Sequence, residues 1–246
     1  MPMVVSLWIG PVTKMEKLCV QSFIQNGFEF DLYTYDSIPG LVQALAPVTG
    51  KGGGSLVVLD ARAVLPDTDV FESPRVDGTP GGLTAFSNIW RYKYLVENGG
   101  MWVDMDMVCA QSFLESPFPF VPLESETDPG LCVMNSPRAG DPFFKALLDT
   151  AQRRVQQPSY RFGDSGPKLV KDLLNSYPYV QRTSPHLFCA LPCKDFANVT
   201  KSGFELDAGA AVHLWREMWV TAKLDRDGTY PGDSLYERWK RQYGVA

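Results

Sequence analysis

Asp104 and Asp106 stand in the stretch Gly99-Gly100-Met101-Trp102-Val103-Asp104-Met105-Asp106-Met107-Val108. Side chains alternate between the two faces of a strand, so a strand over 101–108 places both carboxylates on one side, about 7 Å apart, with Met105 and Met107 on the other. Paired carboxylates at the end of an apolar strand, just after a double glycine that lets the chain turn sharply, suit a hard divalent cation carrying a phosphate-bearing substrate. An isolated D-x-D is more often a solvated strand end, and what sets this one apart is the block before it. Ser87, Asn88, Arg91 and Leu95 fall at helical spacings and share a face, while Phe86, Trp90 and Tyr94 repeat on a neighbouring face able to anchor the helix in a core. One polar stripe, with Arg91 in it, therefore points toward the strand that follows, and the pair reads as the catalytic centre of an enzyme.

Ala85-Phe86-Ser87-Asn88-Ile89-Trp90-Arg91, then Leu95, then Gly99-Gly100-Met101-Trp102-Val103-Asp104-Met105-Asp106, resembles the DXD sugar-binding region of retaining GT-A-fold glycosyltransferases. That group contains the initiating mannosyltransferases, the α-1,4-galactosyl and N-acetylglucosaminyl transferases, and the clostridial glucosylating toxins. The resemblance implies an α/β fold with a Rossmann-like mixed, mostly parallel sheet flanked by helices, here as a single domain over residues 1–246. It also implies hexosyl transfer, with retention of configuration, from a nucleotide-diphosphate sugar to a glycan, glycolipid or other hydroxyl acceptor, as in polysaccharide biosynthesis. A UDP-sugar is the favoured donor and GDP-mannose the alternative. Asn88 departs from the pattern, in which an aspartate expected to touch the donor sugar follows the serine.

Near the C-terminus, Val212-His213-Leu214-Trp215 resembles the family segment that returns to the metal. A lone histidine flanked by apolar residues is otherwise a core residue. Imidazole is a poor ligand for magnesium and acceptable to manganese, so Asp104, Asp106 and His213 point to Mn²⁺, with Mg²⁺ second. Trp215 or Trp219 is placed to wall the donor pocket. The family's Gly-Pro corresponds to Gly166-Pro167, which makes Asp164 and Ser165 candidates for contacting donor or acceptor hydroxyls; the competing reading is that one of them caps the helix.

The elements that must position these residues begin with a buried strand at Val4-Val5-Ser6-Leu7-Trp8-Ile9, closed by Gly10-Pro11. A helical pattern follows from Lys14 to Asn26, and then a second strand from Phe28 to Tyr35. Strand, helix, strand implies a parallel sheet with a right-handed crossover, whose ligands sit beyond the carboxyl ends of its strands. Trp8, Gly10, Tyr33 and Tyr35 lie near those ends. An aromatic there can stack on a nucleotide base or simply fill the core, and Gly10 permits close approach of the backbone.

A short helix is expected over Ile38–Pro47, a glycine-rich connector at Gly50–Gly54, an apolar run at Ser55–Asp60 and a helix from Leu83 to Asn98. Pro66 to Gly82 has no periodicity, as in a binding loop or lid. Asp141-Pro142 opens a helix to Arg154, and Tyr236 to Tyr243 reads as an amphipathic surface helix, with attachment to a glycolipid-bearing membrane the weaker reading.

With 246 residues, 45% of them hydrophobic, the chain can bury one substantial core. A net charge of −5 argues against nucleic acid or an anionic membrane as the main partner. No apolar run of about 18 residues occurs, and the N-terminus lacks the pattern of a signal peptide, so the expectation is a cytoplasmic chain with no transmembrane segment, bacterial or viral in source or trimmed of an anchor. Five cysteines at irregular spacing fit reduced thiols better than a disulfide framework, although Cys189 and Cys193 could pair, and two histidines make a Cys/His zinc site unexpected. Two rival functions remain. One is a non-catalytic protein that binds sugar nucleotides or glycans, and the other a haloacid-dehalogenase-type phosphatase, whose D-x-D motif normally opens the chain.

Overall fold

The computed structural model describes residues 2–45, 53–75, 77–113 and 116–245. Strands β1 (Met3–Trp8), β2 (Glu29–Thr34) and β3 (Ser55–Asp60) alternate with helices α1 (Lys14–Gln25) and α2 (Ile38–Leu45). Helix α3 (Thr84–Asn98) leads into β4 (Gly100–Val103) and β5 (Met107–Cys109), followed by β6 (Phe120–Pro122), β7 (Val133–Ser136), α4 (Pro142–Val155) and α5 (Pro167–Leu174). The remainder comprises β8 (Gln181–Thr183), α6 (Pro185–Phe188), β9 (Ala211–His213), α7 (Arg216–Thr221) and α8 (Leu235–Gln242).

Seven strands form one mixed sheet in the order β3-β2-β1-β4-β7-β6-β8. β1 pairs parallel with β2 and β4, and β2 with β3, whereas β7 runs antiparallel to β4 and β6. The α/β, Rossmann-like mixed and mostly parallel sheet expected from the sequence is the one found. Alternation along the strands gives the sheet two apolar faces: Val4, Phe30, Met101 and Val103 belong to one core with α1 and α8. Val5, Leu7 and Trp102 belong to the other, with Trp90 and Leu95 of α3 and Phe143 and Phe144 of α4. The aromatic stripe of α3 does anchor it, since Trp90 stacks on Tyr94 at 5.6 Å and tilts against Trp102 at 6.0 Å.

Several expectations are corrected. Residues 101–108 are not one strand: β4 ends at Val103 and β5 begins at Met107, with a turn between them closed by Met107 N–H donating to the Asp104 carbonyl at 3.3 Å. The reason is a change of sheet, because β5 leaves the large sheet and pairs with β9 in a two-stranded antiparallel ribbon. Helix α8 is not a surface helix, for Tyr236 and Lys240 are 0% and 1% exposed. The Lys240 ammonium is held by Glu237 at 2.6 Å and by the Gly228 carbonyl at 2.9 Å. The 66–82 segment carries a helical turn at Asp67–Asp69 and a bridge between Ser73 and Gly82, so it is partly ordered. Pro47 and Gly50–Gly52 lie outside the described residues.

Gly99 and Gly100 join α3 to β4 with φ of +72° and +94°. A Cβ on Gly99 would meet Arg138 backbone carbon at 2.9 Å and the Ser136 carbonyl oxygen at 3.0 Å, whereas one on Gly100 would meet nothing within 4 Å. Gly99→Ala is therefore expected to lower Tm by about 5 °C or more, and Gly100→Ala by less, because strain alone costs of order 1–3 kcal/mol and each kcal/mol is worth roughly 2–4 °C at this size. Thermal unfolding of both variants checks the order; equal losses would place the constraint in φ alone.

Candidate active site

The ribbon of β5 and β9 is what joins distant parts of the sequence. Its register sets Met107 opposite His213, and Leu214 N–H donates to the Asp106 carbonyl at 2.9 Å. Asp104, Asp106 and His213 thereby come together, one ligand atom from each lying within 4.8 Å of the others. Trp215 follows in the left-handed region at φ 60° and ψ 53°, a costly conformation for a large side chain. Its indole is fixed by donation to the Leu191 carbonyl at 2.8 Å, and its ring lies 4.0 Å from that of His213. The bend turns the Arg216 N–H onto Asp106 Oδ2 at 2.7 Å.

Each acid is held on one side. Asp104 Oδ1 takes the Trp102 indole N–H at 2.8 Å and the Arg91 guanidinium at 3.0 Å. Asp106 Oδ2 takes the Arg216 N–H and His213 Nε2, the latter at 3.2 Å. Among the described residues, the second oxygen of each carboxylate is left without a protein donor, as a cation ligand requires. Arg91 is itself fixed by donating to the Leu131 carbonyl at 3.0 Å and to Ser87 Oγ at 3.4 Å.

Burial pushes the Asp104 carboxyl above the usual range, with Arg91 opposing and Asp106 adding to the rise. Burial also pushes Asp106 upward, but the charge and hydrogen bond of His213 outweigh it and hold that carboxyl low. Burial disfavours the His213 imidazolium, yet Asp106 raises its pKa well above the ordinary value. Asp104, Asp106, His213 and Arg91 thus form a desolvated cluster in which positive charge faces the two acids.

The cluster lines a cleft of about 520 Å³, within the range of about 300–1,000 Å³ common for small-molecule sites. Of the residues picked out in the sequence, Trp8, Ser87, Asn88, Arg91, Asp104, Asp106, His213 and Trp215 line it. Trp8 contributes a wall whose ring is covered by the Arg216 guanidinium at 5.0 Å. Asn88, 3% exposed, donates to Ser165 Oγ at 3.3 Å, which ties α3 to the segment before α5.

Gly10, Tyr35, Asp164 and Trp219 do not line the cleft. Gly10 N–H donates to Asp36, and Tyr35 hydroxyl donates to the Leu65 carbonyl at 2.8 Å. Trp219 is 0% exposed and donates to the Leu214 carbonyl, so it supports the 213–216 bend from behind. Asp164 accepts from Arg161 N–H and pairs with Lys168 at 2.9 Å, which makes it a turn residue next to cleft-lining Gly163. All five cysteines are free, in line with the reading as reduced thiols, and the sulfur that Cys189 Sγ approaches, at 3.5 Å, is that of Cys132.

Sequence reading missed Arg216 and Glu124, both in the cleft wall. Arg216 Nε lies 3.4 Å from Glu16 Oε1, which also pairs with Arg226 at 2.9 Å. Glu16 is 0% exposed and is the acidic member of the α1 capping box with Thr13, so a helix cap and a cleft cation share one buried carboxylate. The T-x-x-E at Thr13–Glu16 announced the cap, but nothing in the sequence announced Arg216 as its partner. Glu124 sits in an acidic, turn-rich stretch with no pattern to mark it.

Residues 79–125 match the family described as "Glycosyltransferase sugar-binding region containing DXD motif". Comparison of the sequence with curated proteins finds no match. Among solved structures, the fold is similar to the PaToxG glycosyltransferase (TM-score 0.52, 13% identity, 100% of this chain and 85% of that one). It is also similar to the glycosyltransferase GlyE of Streptococcus pneumoniae TIGR4 (0.58, 10%, 100% and 61%), so the chain spans less than two thirds of GlyE. A third is the galactosyltransferase LgtC, solved with donor and acceptor sugar analogues (0.55, 10%, 98% and 95%). The matched region and the fold both agree with the glycosyltransferase of GT-A type expected from the sequence.

Burial raises the Glu124 carboxyl from its ordinary value to about 7. A carboxyl raised in the folded state contributes fully below its unfolded pKa and loses that contribution as pH climbs through the folded one, here between about 4.5 and 7. In metal-free protein, Glu124→Gln is thus expected to raise Tm by a few degrees at pH 8 and by much less at pH 5. Equal shifts at the two pH values, by differential scanning fluorimetry, would contradict the assigned burial.

Proposed function

For a chain that carries the glycosyltransferase DXD region on a GT-A fold, we propose a metal-dependent hexosyltransferase that moves a sugar from a nucleotide diphosphate, UDP in the first instance, to a hydroxyl of a glycan or glycolipid. The observation that carries the reading is the convergence of Asp104, Asp106 and His213 on the wall of the cleft. Two carboxylates and an imidazole form a mixed oxygen and nitrogen set that suits Mn²⁺ better than Mg²⁺, and each carboxylate keeps one oxygen clear of protein donors among the described residues. A divalent cation held there would supply charge to the departing diphosphate, and a unit charge about 4 Å away contributes about 4 kcal/mol at an effective dielectric of 20, roughly a thousandfold in rate.

The protein's own groups complete the arrangement. Arg91 and Trp102 hold Asp104 in one rotamer, and the Arg216 N–H does the same for Asp106, so the acids need no reorganisation when substrate arrives. Arg216 presents a guanidinium beside them, anchored behind by Glu16, in position to meet a phosphate. Trp8 beneath it offers an aromatic surface at the carboxyl end of β1, where bases bind in open parallel sheets. Asn88 supplies an amide in place of the carboxylate that related proteins use toward the donor sugar, and its bond to Ser165 orients it. Retention of configuration follows from the resemblance and is part of the proposal.

Asp106→Asn and His213→Ala are each expected to reduce turnover of UDP-hexoses with Mn²⁺ by at least about a hundredfold, since each removes charge or a ligand at the leaving group. Release of UDP, with and without acceptor, is the readout. Full activity of either variant in chelated buffer would sink the assignment. Trp8→Ala is expected to raise the donor KM more than it lowers kcat, because stacking is largely uniform binding; an unchanged KM returns Trp8 to a purely structural role.

A further inference from the structure

Beside the two acids lies a second group of ligands. One ligand atom each from Cys132, Cys189 and His213 lies within 4.8 Å of the others, and all three residues are buried. Two histidines and scattered cysteines made such a site unexpected from the sequence, but β7 and α6 bring two of the cysteines together from 57 residues apart. The two sulfurs are 3.5 Å apart. Two thiolates on one tetrahedral zinc, with Zn–S near 2.3 Å, are separated by about 3.8 Å, so the spacing is already that of a chelate. Independently, His213 Nδ1 is buried with no hydrogen-bond partner among the described residues, while Nε2 is taken by Asp106.

We propose that Cys132, Cys189 and His213 form a thiolate site for a borderline or soft divalent cation, Zn²⁺ or Co²⁺, distinct in chemistry from the carboxylate site that shares the same imidazole. Binding at Nδ1 leaves the ring proton on Nε2, which donates to Asp106 and gives the carboxylate–histidine–metal arrangement that orients metal-bound imidazoles. Cys132 and His213 line the cleft, which provides the entry path, and the two thiol protons leave to solvent as the metal enters. A cation held by Asp104 and Asp106 requires the opposite tautomer, with the lone pair on Nε2. The two sites are therefore antagonists: a thiophilic metal in one withdraws the imidazole from the other.

Co²⁺ reports directly on sulfur ligation. Reduced protein titrated with Co²⁺ alone is expected to develop a thiolate-to-cobalt absorption near 300–350 nm, saturating at one equivalent and displaced by one equivalent of Zn²⁺. The band is expected to persist in Asp104→Asn and Cys193→Ser and to vanish in Cys132→Ser and in Cys189→Ser, each checked for native circular dichroism. Because Asp104→Asn disables the carboxylate site, loss of that site and loss of the thiolate site are told apart. No charge-transfer band in the wild type, or a band that survives both serine variants, overturns the proposal. Excess Mn²⁺ is expected to weaken the Co²⁺ band in the wild type and not in Asp104→Asn; an equal effect in both overturns the antagonism.

Discussion

Two carboxylates two positions apart in the chain, both largely removed from water, repel each other and each resists ionisation, and the fold meets them with positive charge from opposite sides. Arg91 reaches Asp104 from α3, while His213 and the Arg216 N–H reach Asp106 from the far end of the chain. Remove either support and a buried charge is left uncompensated, which costs several kcal/mol, of order 3–5, in comparable cases. The arrangement is poised: positive charge faces each acid, and among the described residues one oxygen on each has no protein donor.

That electrostatic demand explains features that otherwise look unrelated. The strand carrying the acids breaks after Val103 so that β5 can pair with β9 and deliver His213. Trp215 adopts a left-handed backbone, and Trp219 is buried behind it, so that the next N–H meets Asp106. Glu16 surrenders solvent entirely in order to cap α1 and hold Arg216 and Arg226 at once. Gly99 takes φ +72° against the 136–139 backbone so that β4 starts directly after α3 and Arg91 is kept within reach of Asp104.

Much of this was legible in the sequence. The β1-α1-β2 unit, α3 with its aromatic and polar stripes, and the capped start of α4 at Asp141 were set by periodicity and by local cap chemistry, which depend on near neighbours along the chain. Asp104, Asp106, Arg91 and His213, which the fold brings together at the cleft, could be singled out because their residue types are unusual in apolar surroundings and matched a family pattern. The misses share one cause, which is that they depend on partners far away in sequence. Lys240 can be buried because Glu237 and the Gly228 carbonyl receive it, Arg216 is a cleft residue because Glu16 is behind it, and Cys189 meets Cys132 rather than Cys193 because α6 packs against β6 and β9. Trp219, Tyr35 and Gly10 lie near the site in the chain but have their polar groups satisfied elsewhere.

The account rests on one cation position, and anomalous diffraction from crystals grown with Mn²⁺ and UDP, recorded at the manganese edge, tests it most directly. The account predicts a single strong peak about 2.0–2.3 Å from a carboxylate oxygen of Asp106 and from the His213 imidazole, with Asp104 in or next to the coordination sphere and the diphosphate on the open side. A manganese peak elsewhere in the cleft, with Asp106 and His213 still paired to each other and the nucleotide bound without them, would contradict it.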